Sequence, residues 1–305
     1  MTAAVAVPLS AAARPEIPAP APARLAPLTA ATLSTAYAAN RANAAEAARM
    51  AEAHGDTHRA AADRELSTPA HHFLTFDGRG PGLATEVFGD LTHADHVAVL
   101  VPGSDTTLDT YDRFRATATA LQDRLTRTAP TGTRTAVIAW LGYRTPNTIS
   151  TTVLTTDRAD EAAPRLAEFL HELDRVTGPR TTVSLLCHSY GSVVCARAAG
   201  TLPVTDLVLV GSPGTGADSA ADLHTRARVW AARGKDDWVG EVPHVRSDFF
   251  GVTVGFGTDP VSPAFGARVF AAGEGGHSDY FTPGSVSLAN LARIVLGDTA
   301  EVTHG

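Results

Sequence analysis

The sequence predicts an α/β protein with a mostly parallel central sheet, helices on both of its faces, and a helical arm in front. Three observations carry this. Apolar strand-like runs alternate with helical patterns along the chain. Several of those runs, such as "HVAVLV" and "DLVLV", are continuously apolar, the texture of strands buried on both sides. The composition is 44% hydrophobic over 305 residues, enough to bury a substantial core without disulfides.

The elements follow in order. Residues 1–28, with "ARPEIPAPAPARLAP", read as a disordered leader rich in proline and alanine. Its apolar start has no preceding Lys or Arg, so it lacks the positive n-region of a secretory signal; a cytoplasmic location is expected, with export left open. Residues 29–68 are alanine-rich with a break at Gly55, and predict two helices forming an arm packed on the main domain. Residues 69–305 form the catalytic domain. Within it "HHFLTFD" and "LATEVFG" flank the turn "GRGPG" as two strands, and "HVAVLV" runs into "PGSDTT" and a helix to about Leu125. "TAVIAWLGY" is the next strand. Arg158 to Val176 is an amphipathic helix with Leu166, Phe169, Leu170 and Leu173 on one side. "DLVLVGSPG", "RVWAARG" and "ARVFAAG" are short strands ending in glycine, and Val286 to Leu296 is the last helix.

The most informative stretch is "TTVSLLCHSYGSVVCARAAG", Thr181 to Gly200. A β-branched run meets Cys-His-Ser-Tyr-Gly and turns into an alanine-rich helix, the strand–nucleophile–helix turn of serine hydrolases with Ser189 at its apex. The positions two before and two after the serine need little or no side chain. Gly191 meets this requirement, and Cys187 stands where G-x-S-x-G has its first glycine. His188 is a rival base, but neighbours on so sharp a turn point different ways, and a loop-anchoring role fits it better. Cys187 as nucleophile would sit at a buried strand end, where a thiolate is disfavoured. The only cysteines, Cys187 and Cys195, flank the tight turn, and two free thiols are expected.

A serine hydroxyl needs a base, and the base an acid. In the α/β-hydrolase order the acid follows a strand after the nucleophile, and the histidine comes last. "RVWAARGKDDWVG" offers Asp237, with Asp236 as the open alternative. Of His244, His277 and His304, the three that follow Asp237, His277 in "GEGGHSDYF" holds the expected place before the last helix. The oxyanion donors are assigned to the amides of Tyr190 and Ser104, with Asp105 the alternative to Ser104; Gly103 permits the close backbone approach.

Several ordered segments resemble the actinobacterial α/β-hydrolases catalogued as a domain of unknown function. They are "GDLTHADHVAVLVPGSDTTL", "AVIAWLGYRTP", "CHSYGSVV", "LVLVGSPG", "DPVSPAFGARVF" and "GGHSDYF", spanning Gly89 to Phe281. The resemblance implies an α/β-hydrolase fold with Ser189, Asp237 and His277 in the triad positions, and names no substrate. Cys187 departs from the glycine of the relatives' G-H-S-Y-G. Gly240 to Pro263 is a long insertion whose Phe249, Phe250, Val252, Val254 and Phe256 form either an apolar wall near the serine or ordinary core.

The expected activity is a metal-independent, cofactor-free serine hydrolase acting on a small-molecule ester or related acyl substrate. An acyltransferase using the same triad and a non-catalytic binding protein on the same fold are the alternatives. The formal charge of −7 argues against a nucleic-acid or anionic-membrane partner, and no apolar run reaches membrane-spanning length. Oligomeric state is not readable from the sequence.

Overall fold

The computed structural model describes residues 17–147, 156–241, 247–249, 252–254 and 256–305. Its centre is an eight-stranded sheet made of β1 (Phe73–Asp77), β2 (Leu83–Gly89), β3 (His96–Val101), β4 (Thr135–Leu141), β5 (Thr182–His188), β6 (Asp206–Val210), β7 (Arg228–Ala232) and β10 (Arg268–Val269). The spatial order is β1-β2-β4-β3-β5-β6-β7-β10. The β1–β2 and β2–β4 pairs are antiparallel and all the others are parallel.

Alternation along the strands splits the core in two. Val97, Val99, Val101, Leu185 and Cys187 point to the face covered by α4 (Asp157–Thr177) and α5 (Gly191–Ala198). Ala98, Leu100, Leu186 and Val208 point to the face covered by α3 (Tyr111–Thr128) and α6 (Val286–Leu296). A period of two along a strand divides its side chains in this way.

Two helices precede the sheet, α1 (Leu33–His54) and α2 (Thr57–Leu66). Gly55, at φ 90°, ends α1 in the left-handed conformation that glycine tolerates. Asn40 of α1 is buried and donates to the carbonyls of Phe73 and Leu74 at 2.9 and 2.8 Å, covering backbone acceptors of edge strand β1.

The "ARVFAAG" strand is shorter than the sequence predicts, only Arg268–Val269. Beyond it Phe270 bridges His304, and the Ala271 amide donates to the Thr303 carbonyl at 2.9 Å. The C-terminal tail takes the bonds that would have extended the sheet. Within the Gly240 to Pro263 insertion, β8 (Ser247–Phe249) and β9 (Val252–Val254) pair antiparallel, while Phe250 lies outside the described residues. Residues 1–16 of the expected leader and His244 also lie outside them. Among the described residues no helix is long and apolar enough to cross a membrane.

Candidate active site

β5 ends at His188 and α5 begins at Gly191, so Ser189 stands in the turn between them. Its φ is 54°, a left-handed conformation that costs a residue with a Cβ about 1–2 kcal/mol. The turn is held by the Ser189 amide donating to Val210 at 3.0 Å and the Ser192 amide donating to Ser189 at 2.9 Å. A Cβ on Gly191 would come within 2.6 Å of the Pro102 carbonyl oxygen, and one on Gly103 within 2.7 Å of the Ser189 Cβ. Both glycines are needed for the loop after β3 to nest against the serine turn.

The expectation of two free thiols is wrong: Cys187 and Cys195 form a disulfide. The strand–turn–helix reverses direction so sharply that the helix returns beside the strand end, and the two Cα atoms lie 6.5 Å apart. That separation is within the ordinary span of a disulfide. The cross-link also removes Cys187 as a rival nucleophile, because it has no thiol to ionise.

His277 links the serine to an acid. Its Nε2 lies 2.9 Å from Ser189 Oγ and its Nδ1 lies 2.8 Å from Asp237 Oδ1. Asp236 is exposed and Asp237 buried, so of the two adjacent carboxylates Asp237 is the one the imidazole meets. Burial pushes the Asp237 carboxyl up, but three donors outweigh it and hold the pKa below the usual carboxylate value. These are His277, the Tyr280 hydroxyl at 2.5 Å from Oδ2, and the Val239 amide at 2.9 Å from Oδ1.

Tyr280 is a site residue that the sequence reading missed. Its hydroxyl donates to Asp237 and accepts from the Gly234 amide at 3.0 Å. Burial, and after it the bond to Asp237, raises its pKa well above the phenol value, so it stays a donor. The available signal was its place three residues after His277. Gly211 was missed as well: a Cβ there would meet Tyr280, Asp237 and His277 at 2.9, 3.0 and 3.3 Å. His188 is neutral, its pKa lowered to about 4 by burial and then by His277. Its Nε2 donates to the His277 carbonyl at 2.7 Å, which anchors the loop that carries the imidazole.

The oxyanion loop is fixed by two contacts from beyond β4. The buried Tyr143 hydroxyl donates to the Pro102 carbonyl at 2.7 Å. The Thr145 hydroxyl donates to the Thr106 carbonyl at 2.9 Å, and Thr145 Oγ1 accepts from the Thr106 amide at 3.2 Å. The Asp105 amide donates to the Pro146 carbonyl at 3.0 Å, which leaves Ser104 as the better placed of the two candidate donors. The Tyr190 amide follows Ser189 directly, and its ring is buried on the α4 side, with its hydroxyl accepting from the Ala159 amide at 3.3 Å.

A cavity of about 830 Å³ contains Ser189, His277, Gly103 and Ser104. One part reaches down to Leu100, Leu186, Phe114, Thr117 and Phe281, on the α3/α6 side of the sheet. Another part meets Pro213, Trp238 and Phe256. Phe256 is thus the one member of the expected apolar wall whose side chain is described at the cavity. Trp238 is 51% exposed although its ring centre lies 4.6 Å from that of His277. Among the described residues no group of three or more His, Cys, Asp or Glu side chains is placed to hold a metal ion.

Strand order, elbow and histidine loop together define the α/β-hydrolase fold. Residues 77–247 match an alpha/beta hydrolase family, and the chain belongs to it. An uncharacterized protein of Mycobacterium tuberculosis, Rv2079, is 32% identical over 280 residues, covering 80% of this chain and 42% of the relative. A second from the same species, Rv0963c, is 33% identical over 155 residues, 46% of this chain and 56% of the relative. The chain therefore spans about half the length of the curated relatives it matches. Among solved structures, the α/β serine hydrolase without lid XC6422 from Xanthomonas campestris is similar at 18% identity and TM-score 0.45, with 75% of this chain and 94% of that one covered. Esterase PE8 is similar at 17% identity and TM-score 0.45, with 70% and 97% covered.

Proposed function

We propose that the protein is a serine hydrolase that cleaves carboxylic esters or related small acyl compounds through Ser189, His277 and Asp237. The observation that carries this reading is the continuous chain of hydrogen bonds from Ser189 Oγ through both imidazole nitrogens to Asp237. With Nδ1–H donating to the carboxylate, Nε2 is free to accept the serine proton.

Ser189 Oγ attacks the acyl carbonyl as its proton passes to His277. The Ser104 and Tyr190 amides receive the negative charge on the carbonyl oxygen. His277 then gives the proton to the leaving alcohol, and the acyl group stays on Ser189. A water molecule, deprotonated by His277, releases the acid and restores the serine. The apolar part of the cavity around Leu100, Leu186, Phe114 and Phe281 suits the acyl chain, and the exposed Trp238 ring beside His277 suits an apolar leaving group.

A serine-directed fluorophosphonate is expected to label the wild type and not Ser189→Ala. The same variant should hydrolyse short aryl esters at least ~10³-fold more slowly. Labelling or turnover that survives the substitution overturns the reading.

A further inference from the structure

The chain's only two cysteines are used at one place, and the chemistry above has no need of either. Cys187 is the second-last residue of β5, two before Ser189, and Cys195 is the fifth residue of α5. Both are fully buried, in the core on the α4/α5 face. Their bond therefore closes a ring around the turn that presents Ser189, from the side opposite the deep part of the cavity.

We infer that the Cys187–Cys195 disulfide is a positioning element for the nucleophile, so that full activity needs the oxidised chain and the protein works in an oxidising compartment. This rests on the serine hydrolase reading. Ser189 is one of three non-glycine residues with positive φ among the described residues, and such a conformation persists only where its surroundings over-determine it. The helix that follows is a weak support by itself. It has eight residues, too few for an isolated helix to be stable, and no side chain caps its start. The remaining local ties are the Ser189 and Ser192 amide bonds and a 3.3 Å bond from the Ser192 hydroxyl to the Cys187 carbonyl. Across the ring, only the disulfide joins side chain to side chain covalently.

Burial decides what kind of device this is. Thiol–disulfide exchange needs a thiolate to reach one of the sulfurs, and neither is accessible in the folded chain. The bond is therefore a permanent lock, made during folding, and not a switch thrown in the native state. Its formation joins two thiols with loss of two protons and two electrons to a disulfide-bearing oxidant. Such bonds persist outside the reducing cytosol, which replaces the cytoplasmic location expected from the sequence.

The test compares three proteins: wild type made under oxidising conditions, wild type folded and kept in dithiothreitol, and Cys187→Ala/Cys195→Ala. Dithiothreitol supplies the two electrons and two protons and becomes a cyclic disulfide. Thiol titration assigns the redox state, circular dichroism checks folding, and assays run well below each melting temperature. The oxidised protein should show no titratable thiol after denaturation. Reduced and double-variant proteins should lose kcat by about 10–100-fold with KM within about twofold, and react with fluorophosphonate correspondingly slowly. Equal kcat in the folded double variant overturns the inference, as do two titratable thiols in the protein folded under oxidising conditions. If the double variant does not fold, the reduced wild type decides, and failure of both to fold also overturns a role confined to positioning. Failure of the oxidised protein itself to label at Ser189 instead removes the hydrolase reading.

Discussion

Two aspartates are buried at different parts of the sheet and titrate in opposite directions. Asp237, beyond the end of β7, is held below the usual carboxylate pKa. Asp63, on α2 at the antiparallel edge, is raised from 3.8 to about 7, by burial first and also by the charges of Asp109 and Asp56. Both are nearly inaccessible, at 5% and 1% exposure, so burial alone does not separate them. Donors do. Asp237 receives an imidazole, a phenol and a backbone amide. Asp63 has the Arg59 charge nearby, but the Arg59 guanidinium grips Asp109 through Nε at 2.7 Å and Nη2 at 3.1 Å, and Asp63 Oδ1 has no hydrogen-bond partner. A carboxylate surrounded by donors can steady an imidazolium. One left short of donors is driven toward its neutral form.

Breaking the donor-rich site should have the largest effect. Asp237→Asn keeps the shape but removes the charge and turns an acceptor into a donor facing Nδ1. Turnover of aryl esters should fall by about 10⁴-fold with the fold retained by circular dichroism. A loss below tenfold would mean that Asp237 does not act on His277.

Removing one donor sharpens the comparison. Tyr280→Phe leaves Asp237 with the imidazole and the Val239 amide, and should lower kcat by about tenfold. Because the Tyr280 bond is one of those that hold the Asp237 pKa down, its loss should also shift the acid limb of the pH–rate profile to higher pH. An unmoved acid limb would show that the phenol is only packed there.

The smallest effect belongs to the donor-poor site. With a folded pKa of about 7 and an unfolded value near 3.8, the folded chain holds an extra proton between the two. The stabilisation that Asp63 contributes is fully present below the unfolded value and lost as pH rises through about 7. Asp63→Asn should therefore gain on the order of 2 kcal/mol relative to wild type between pH 4 and pH 8, with activity unchanged. Thermal melts at the two pH values measure it, and a pH-independent difference would refute it.

The strands were legible because burial on both faces forces apolar runs, and the serine turn because it needs a small residue at Gly191 directly after a strand. The acid and histidine could be placed because each had to follow a strand in a set order. Tyr280 gave no comparable sign. A tyrosine in a loop has many uses, and only its approach to Asp237 from 43 positions away defines this one. Gly211 reads as a strand-ending glycine until the three side chains it makes room for are assembled around it.

The Cys-His-Ser-Tyr-Gly stretch shows the division most clearly. Local sequence by itself determined that a strand would end, turn tightly at Ser189 and continue as a helix, because those preferences act over a few residues. The same tightness argued from sequence against a disulfide, yet in the folded chain it is what brings Cys195 back beside Cys187. Only the tertiary structure decided this, and with it which carboxylates would find donors. Both depend on distances between side chains that packing fixes and that residue order leaves open.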